Sequence, residues 1–116
     1  MTVPATLVSY IKLIRAEVRY ADPSRHAVAG NVMSHLESIR ACADLTPEMA
    51  REISQVLEEV SRLDSAMDRA PGFQTDAIAD AKGKVDAAID ALERSLRFAL
   101  PTAEAQALGM GWQTGA

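Results

Sequence analysis

The residues best suited to chemistry lie in one short stretch, RHAVAGNVMSH, residues 25–35. It holds both histidines of the chain, His26 and His35. An imidazole can ligate a metal, carry a phosphoryl group or move a proton near neutral pH. Helical geometry tests the metal first. The two histidines are nine residues apart, about 900° of rotation, and so point to opposite faces of one helix. Cys42 shares the face of His35 but lies about 10 Å further along the axis, too far to share an ion. A diiron bundle needs Glu three residues before each His. Val32 and Pro23 stand there instead. We therefore expect no metal and no cofactor.

Other chemistries find no constellation. The serines fall on polar helix faces without a paired base, so no nucleophile is set up. No strand is expected, and hence no phosphate loop between a strand and a helix. The acids read as solvated helix faces. No catalytic residue is assigned, and the chain is not expected to be an enzyme by itself. The structural role remains for the histidines: His35 as a half-buried residue at the margin of an apolar stripe, His26 exposed in a first helical turn.

These side chains must be carried by helices. In the first segment, Pro4 to Tyr20, Leu7, Ile11, Ile14 and Val18 repeat at 4-3-4 spacing. Pro4 suits its first turn. A second segment starts at the Asp22-Pro23 cap and runs to about Ala43. Its stripe is centred on Ala29, Val32, Met33, Leu36 and Ile39, with Val28 and Cys42 at one margin. The third opens on Thr46-Pro47-Glu48 and ends at Ala70-Pro71-Gly72. Met49, Ile53, Val56, Val60, Leu63 and Met67 form its seam, widened by Leu57. The fourth runs from about Thr75 to Leu100, with Ile78, Ala81, Val85, Ile89, Leu92, Leu96 and Ala99 inside. Asp80 with Lys84, Asp90 with Arg94 and Glu93 with Arg97 are spaced to pair along it. Gly83 is either a weak point or a place of close packing. The expected fold is all-α, an antiparallel up-down four-helix bundle over residues 1–100. A short helix from Thr102 to Leu108 and a Gly-rich tail complete residues 101–116.

The chain has 116 residues, one domain's worth, and a net charge of −4, which disfavours nucleic acid. The charge is uneven: by position, residues 1–40 carry a net +2 and the remainder −6. One cysteine excludes an internal disulfide. The amino terminus does not read as a signal peptide and no apolar run is long enough for a membrane span, so a cytoplasmic protein is expected. The tail GMGWQTGA carries Met110 and the sole tryptophan, Trp112. Trp112 folds back on the helices, anchors in another chain, or stays with a disordered tail.

Three family resemblances add to this. His26 followed by Gly30 resembles the active helix of histidine-phosphotransfer domains, four-helix bundles of similar size. Ala29 stands where their lysine belongs. The hairpin over residues 26–67 is similar in layout to histidine-kinase dimerisation helices, with Ala27 in place of their acid. Residues Arg25-His26 followed by Val28-Ala29-Gly30-Asn31 resemble the small helical partner subunits of aminoglycoside-phosphotransferase-like kinases acting on hydroxyacyl-CoA compounds. That likeness covers about 40 residues and implies a non-catalytic subunit in which Arg25, His26 and Asn31 face the partner or an anionic substrate. The leading expectation is an accessory subunit that binds a larger protein through a helix face and the tail, with Met110, Trp112 and Tyr10 as anchors. A phosphotransfer protein using His26 and a self-assembling structural component of a phage or compartment are the alternatives.

Overall fold

The computed structural model describes residues 4–21, 28–69 and 75–102. It is all-α apart from one minimal strand pair. The helices are α1 (Ala5–Arg19), α2 (Val28–Cys42), α3 (Pro47–Arg69) and α4 (Thr75–Leu96). The strands are β1 (Ala43–Asp44) and β2 (Leu100–Pro101). α1 packs on α2 and α4, α2 also on α3, and α3 on α4. No helix among the described residues is long and apolar enough to cross a membrane.

The apolar stripes meet in one core. In α1 and α3 every expected seam residue is buried, from Leu7 to Val18 and from Met49 to Met67. α4 buries Ile78, Val85, Ile89, Leu92 and Leu96, with Ala88 added and Ala81 packed against the edge. The stripe of α2 is rotated from the expected one. Val28 and Cys42, expected at the margin, are buried with Val32, Leu36 and Ile39, while Met33 is 49% exposed and Ala29 half-buried. The reason is geometric. Residues 28, 32, 39 and 42 lie on one face, and Met33 falls about a third of a turn away. Glu59 is the one charged residue buried among those described. Gln55 Nε2 and Arg62 Nη1 donate to its Oε1, at 3.0 and 2.6 Å, so that oxygen is paired twice.

Helix ends follow capping chemistry, with two departures from the sequence reading. Pro4 precedes the first turn of α1 rather than opening it, and its carbonyl accepts from Leu7 and Val8 N–H. The third start is as expected: Thr46 Oγ1 accepts from Met49 N–H at 3.2 Å. The expected Asp22-Pro23 cap of α2 lies outside the described residues. The N–H groups of Val28 and Ala29 donate to Asp64 of α3, at 3.3 and 3.0 Å. A carboxylate from a neighbouring helix thus meets the positive end of the α2 dipole. α4 stops at Leu96, short of Leu100, in a turn where Phe98 and Ala99 N–H reach the Ser95 and Leu96 carbonyls.

That early stop frees the chain for strand pairing, which the sequence pattern did not suggest. β1 and β2 pair antiparallel, Ala43 opposite Pro101 and Asp44 opposite Leu100. Thr102 extends the clasp, its N–H donating to Cys42 O and its Oγ1 to Ala41 O, both at 2.9 Å. The orphan carbonyls at the end of α2 are satisfied in this way. The rest of the expected short helix to Leu108, after Thr102, and the tail lie outside the described residues.

A Cβ added at Gly83 meets nothing within 4 Å, so close packing is not its role. Gly83→Ala should therefore stabilise the protein by about 0.5–1 kcal/mol through helix propensity. Leu63→Ala, at a fully buried seam position, should cost about 2–5 kcal/mol. Urea unfolding of the two variants checks both signs.

Candidate partner-docking face

α1 has two flanks, and each is bonded to a different neighbour. On one side Arg15 reaches α4. Its Nη2 donates to Asp90 Oδ1 at 2.6 Å and to Glu93 Oε1 at 3.1 Å, with Asp86 3.9 Å from Nη1. Three acids on successive turns of α4 thus converge on one guanidinium. Lys82 Nζ adds a bond to the Arg19 carbonyl at the end of α1. Partial burial of Arg15 works against its charge, but the hydrogen bonds and charges of Asp90 and Glu93 outweigh it and raise the pKa above its ordinary value. A raised folded value stabilises the fold at every pH below the ordinary one, and that contribution fades only as pH climbs through the folded value.

This corrects the expected pairing along α4. Asp90 and Glu93 bond across to Arg15, not to Arg94 and Arg97; only Asp80–Lys84 pairs as expected, at 3.4 Å. The Arg97 guanidinium carbon lies 5.4 Å from the centre of the Phe98 ring instead.

On the other flank Glu17 faces α2. Asn31 Nδ2 donates to its Oε2 at 3.2 Å. Asn31 is exposed, but its amide is engaged inside the chain. Tyr10 lies on the same flank, partly buried against the core. Further outward come Leu13, 47% exposed, and Tyr20, 64% exposed. Residues 6, 10, 13, 17 and 20 repeat at 4-3-4-3 spacing, a second seam beside the buried one. Its only charge is Glu17, which Asn31 meets. Lys12 and Arg19 project a third of a turn or more away from it.

The contrast with α3 and α4 gives this face its interest. α3 presents Arg51, Glu58, Arg62 and Asp68 to solvent, and α4 presents Asp80, Lys84, Asp86, Asp90 and Arg94. Such surfaces hold water and discourage docking. The outer seam of α1 offers two large exposed side chains and little net charge, the composition of an interface centre.

Of the sequence-derived site residues, Tyr10 is partly buried against the core and Asn31 bonds to Glu17, about two turns further along α1. Arg25, His26, Met110 and Trp112 lie outside the described residues. His35 is half-buried on α2, as expected of a residue at the margin of its stripe. Among the described residues no group of three or more His, Cys, Asp or Glu side chains could hold a metal ion. Leu13, Glu17 and Tyr20 went unnoticed in the sequence, although the 4-3-4-3 spacing was there to find. No known protein family, curated protein or solved structure matches the chain.

Arg15→Ala should cost about 1–2 kcal/mol, because two charge-assisted bonds are lost at a partly buried site. Arg94→Ala should change stability by less than about 0.5 kcal/mol. Equal effects in thermal melts would mean that the α4 acids serve their own helix rather than α1.

Proposed function

We propose that this protein is a small, non-catalytic helical accessory subunit that docks on a larger protein through the outer seam of α1. The observation that carries the reading is the exposure of Leu13 and Tyr20 on a seam almost bare of charge. Docking would bury that seam and complete a helix–helix contact of the kind α1 already makes on its other side. The chain's architecture in this reading is an antiparallel up-down four-helix bundle. Cross-links support it: Arg19 meets Lys82 while Arg15 meets Asp90 and Glu93, so partners advance in opposite directions along α1 and α4. The start of α2 meets Asp64 late in α3, and Glu52 early in α3 meets Ser95 late in α4.

The tail belongs to the same proposal. Met110 and Trp112 supply a second anchor, and Arg25, His26 and Asn31 line the approach to the partner. The resemblance of residues 25–31 to kinase partner subunits suggests the partner class, a phosphotransferase-type kinase of hydroxyacyl-CoA compounds in the cytoplasm.

The test is affinity purification of the full chain from its native host beside Leu13→Glu and Trp112→Ala. The wild type should carry a larger protein at equal stoichiometry. Leu13→Glu should weaken that capture by about thirtyfold or more, the effect of losing a central anchor. Its melting temperature should not move, since Leu13 is outside the core. Undiminished capture by Leu13→Glu removes the α1 seam from the interface.

A further inference from the structure

Large apolar side chains are exposed at a few places among the described residues, and most of these share their patch with charge. Met33, on α2, continues along its stripe as Glu37 and Arg40, which approach to 3.9 Å. Phe98 lies beneath the Arg97 guanidinium, and Leu100 sits opposite Asp44 in the strand pair. The outer seam of α1, with Leu13 and Tyr20, is different. Its one acid, Glu17, is met by Asn31. Across from it, the same flank of α2 continues from Asn31 to His35 and Ser38, with no acid, lysine or arginine among them.

The chain beyond β2 starts beside this groove. Thr102 is pinned to the end of α2, its N–H to the Cys42 carbonyl and its hydroxyl to the Ala41 carbonyl. The bond from Asn31 to Glu17 sets the level of α2 against α1. With the two helices antiparallel, as in the proposed bundle, Ala41, ten residues on from Asn31, comes level with Leu7, ten residues back from Glu17. Thr102 is thereby held at the first turns of α1, where the seam begins.

Trp112 follows ten residues later. Fully extended, that length spans about 33 Å; wound as a helix it advances about 15 Å. From the level of Leu7, Leu13 lies about 9 Å along α1 and Tyr20 about 20 Å. Trp112 reaches the interval between them in either form. Residues 103–112, AEAQALGMGW, carry a single charge, Glu104, and the apolar Leu108, Met110 and Trp112. Such a segment matches a charge-poor groove and not the charged surfaces of α3 and α4.

We propose that residues 103–112 lie along the outer seam of α1 in the free chain, with Trp112 set between Leu13 and Tyr20. The indole covers the two side chains that the core leaves out, and one of these is aromatic. A partner docking on the seam displaces the tail, and the released Trp112 is then free to serve as the second anchor. The inference takes its register from the proposed bundle and does not depend on the partner.

Trp112 is the sole tryptophan, so its fluorescence reads the contact directly. Emission of the purified full chain should lie to the blue of free tryptophan in water and stay there on dilution. Leu13→Glu should move it to the red by weakening the docking equilibrium about tenfold or more, the effect of one lost buried leucine. Tyr20→Ser gives the same readout if Leu13→Glu unfolds the chain, which circular dichroism reports. Phe98→Ser, at the exposed aromatic nearest the tail in sequence, should leave emission unchanged. The inference is overturned if wild-type emission matches free tryptophan, or if a folded Leu13→Glu emits as the wild type does. It is equally overturned if Phe98→Ser produces the red shift, or if emission reddens on dilution, which places Trp112 on a second copy of the chain. These readings are made without a partner. A failed capture of a larger protein leaves the docked tail standing, and a free tail leaves the seam open to that protein.

Discussion

Four amphipathic helices hiding their apolar stripes against one another is the constraint on which everything else in this molecule rests. α1 and α2 have 15 residues each, a length at which an isolated helix is marginal in water. Neither would persist without the core. The buried seams run from Leu7 to Val18, Val28 to Cys42, Met49 to Met67 and Ile78 to Ala99 as a single cluster. Once those stripes face inward, the remaining faces of every helix are assigned. Charge density outside, cross-helix bonds at the flanks and the bare seam of α1 are consequences of that one arrangement.

The flanks show how polar groups refine a core that hydrophobicity alone would leave free to slide. Arg15 ties α1 to three turns of α4, and Asp64 ties α3 to the first two N–H groups of α2. Such bonds contribute little each, because partly exposed pairs are screened. Their geometry fixes which turn meets which. The β1–β2 clasp does the same at the other end, drawing the chain after α4 onto the end of α2. Satisfying helix-end carbonyls there saves the cost of leaving them unpaired.

Function in such a protein has to reside on what the core does not use. Two regions stand out, and they differ in chemistry. The α1 seam is apolar and broad, suited to another helix. The α3–α4 cleft is lined by charges of both signs, Glu48, Glu52, Arg94 and Arg97, together with Met49 and Phe98. Both arise because neighbouring charges were drawn elsewhere: Asn31 engages Glu17, and Arg15 takes the acids that Arg94 and Arg97 would otherwise meet. An ion pair on one face thereby determines what is exposed on another.

The sequence by itself determined the helices and most of the core, since a 4-3-4 repeat over several turns can bury only one face. The seams of α1 and α3 were legible residue by residue, as was the Thr46 start of α3. In α2 a wide stripe, with Val28, Ala29, Val32 and Met33 all apolar, left its centre ambiguous by a third of a turn. Only packing against α1 and α3 decided that Met33 faces out and Cys42 in. Spacing along α4 could show that Asp90 and Glu93 have arginines four residues on. It could not show that Arg15, 75 residues away from Asp90 in the chain, lies closer in space. The same holds for the Asp64 cap and the Thr102 clasp. Local periodicity follows from the geometry of one helix, whereas these contacts depend on how separate helices are set against each other, which no single segment encodes.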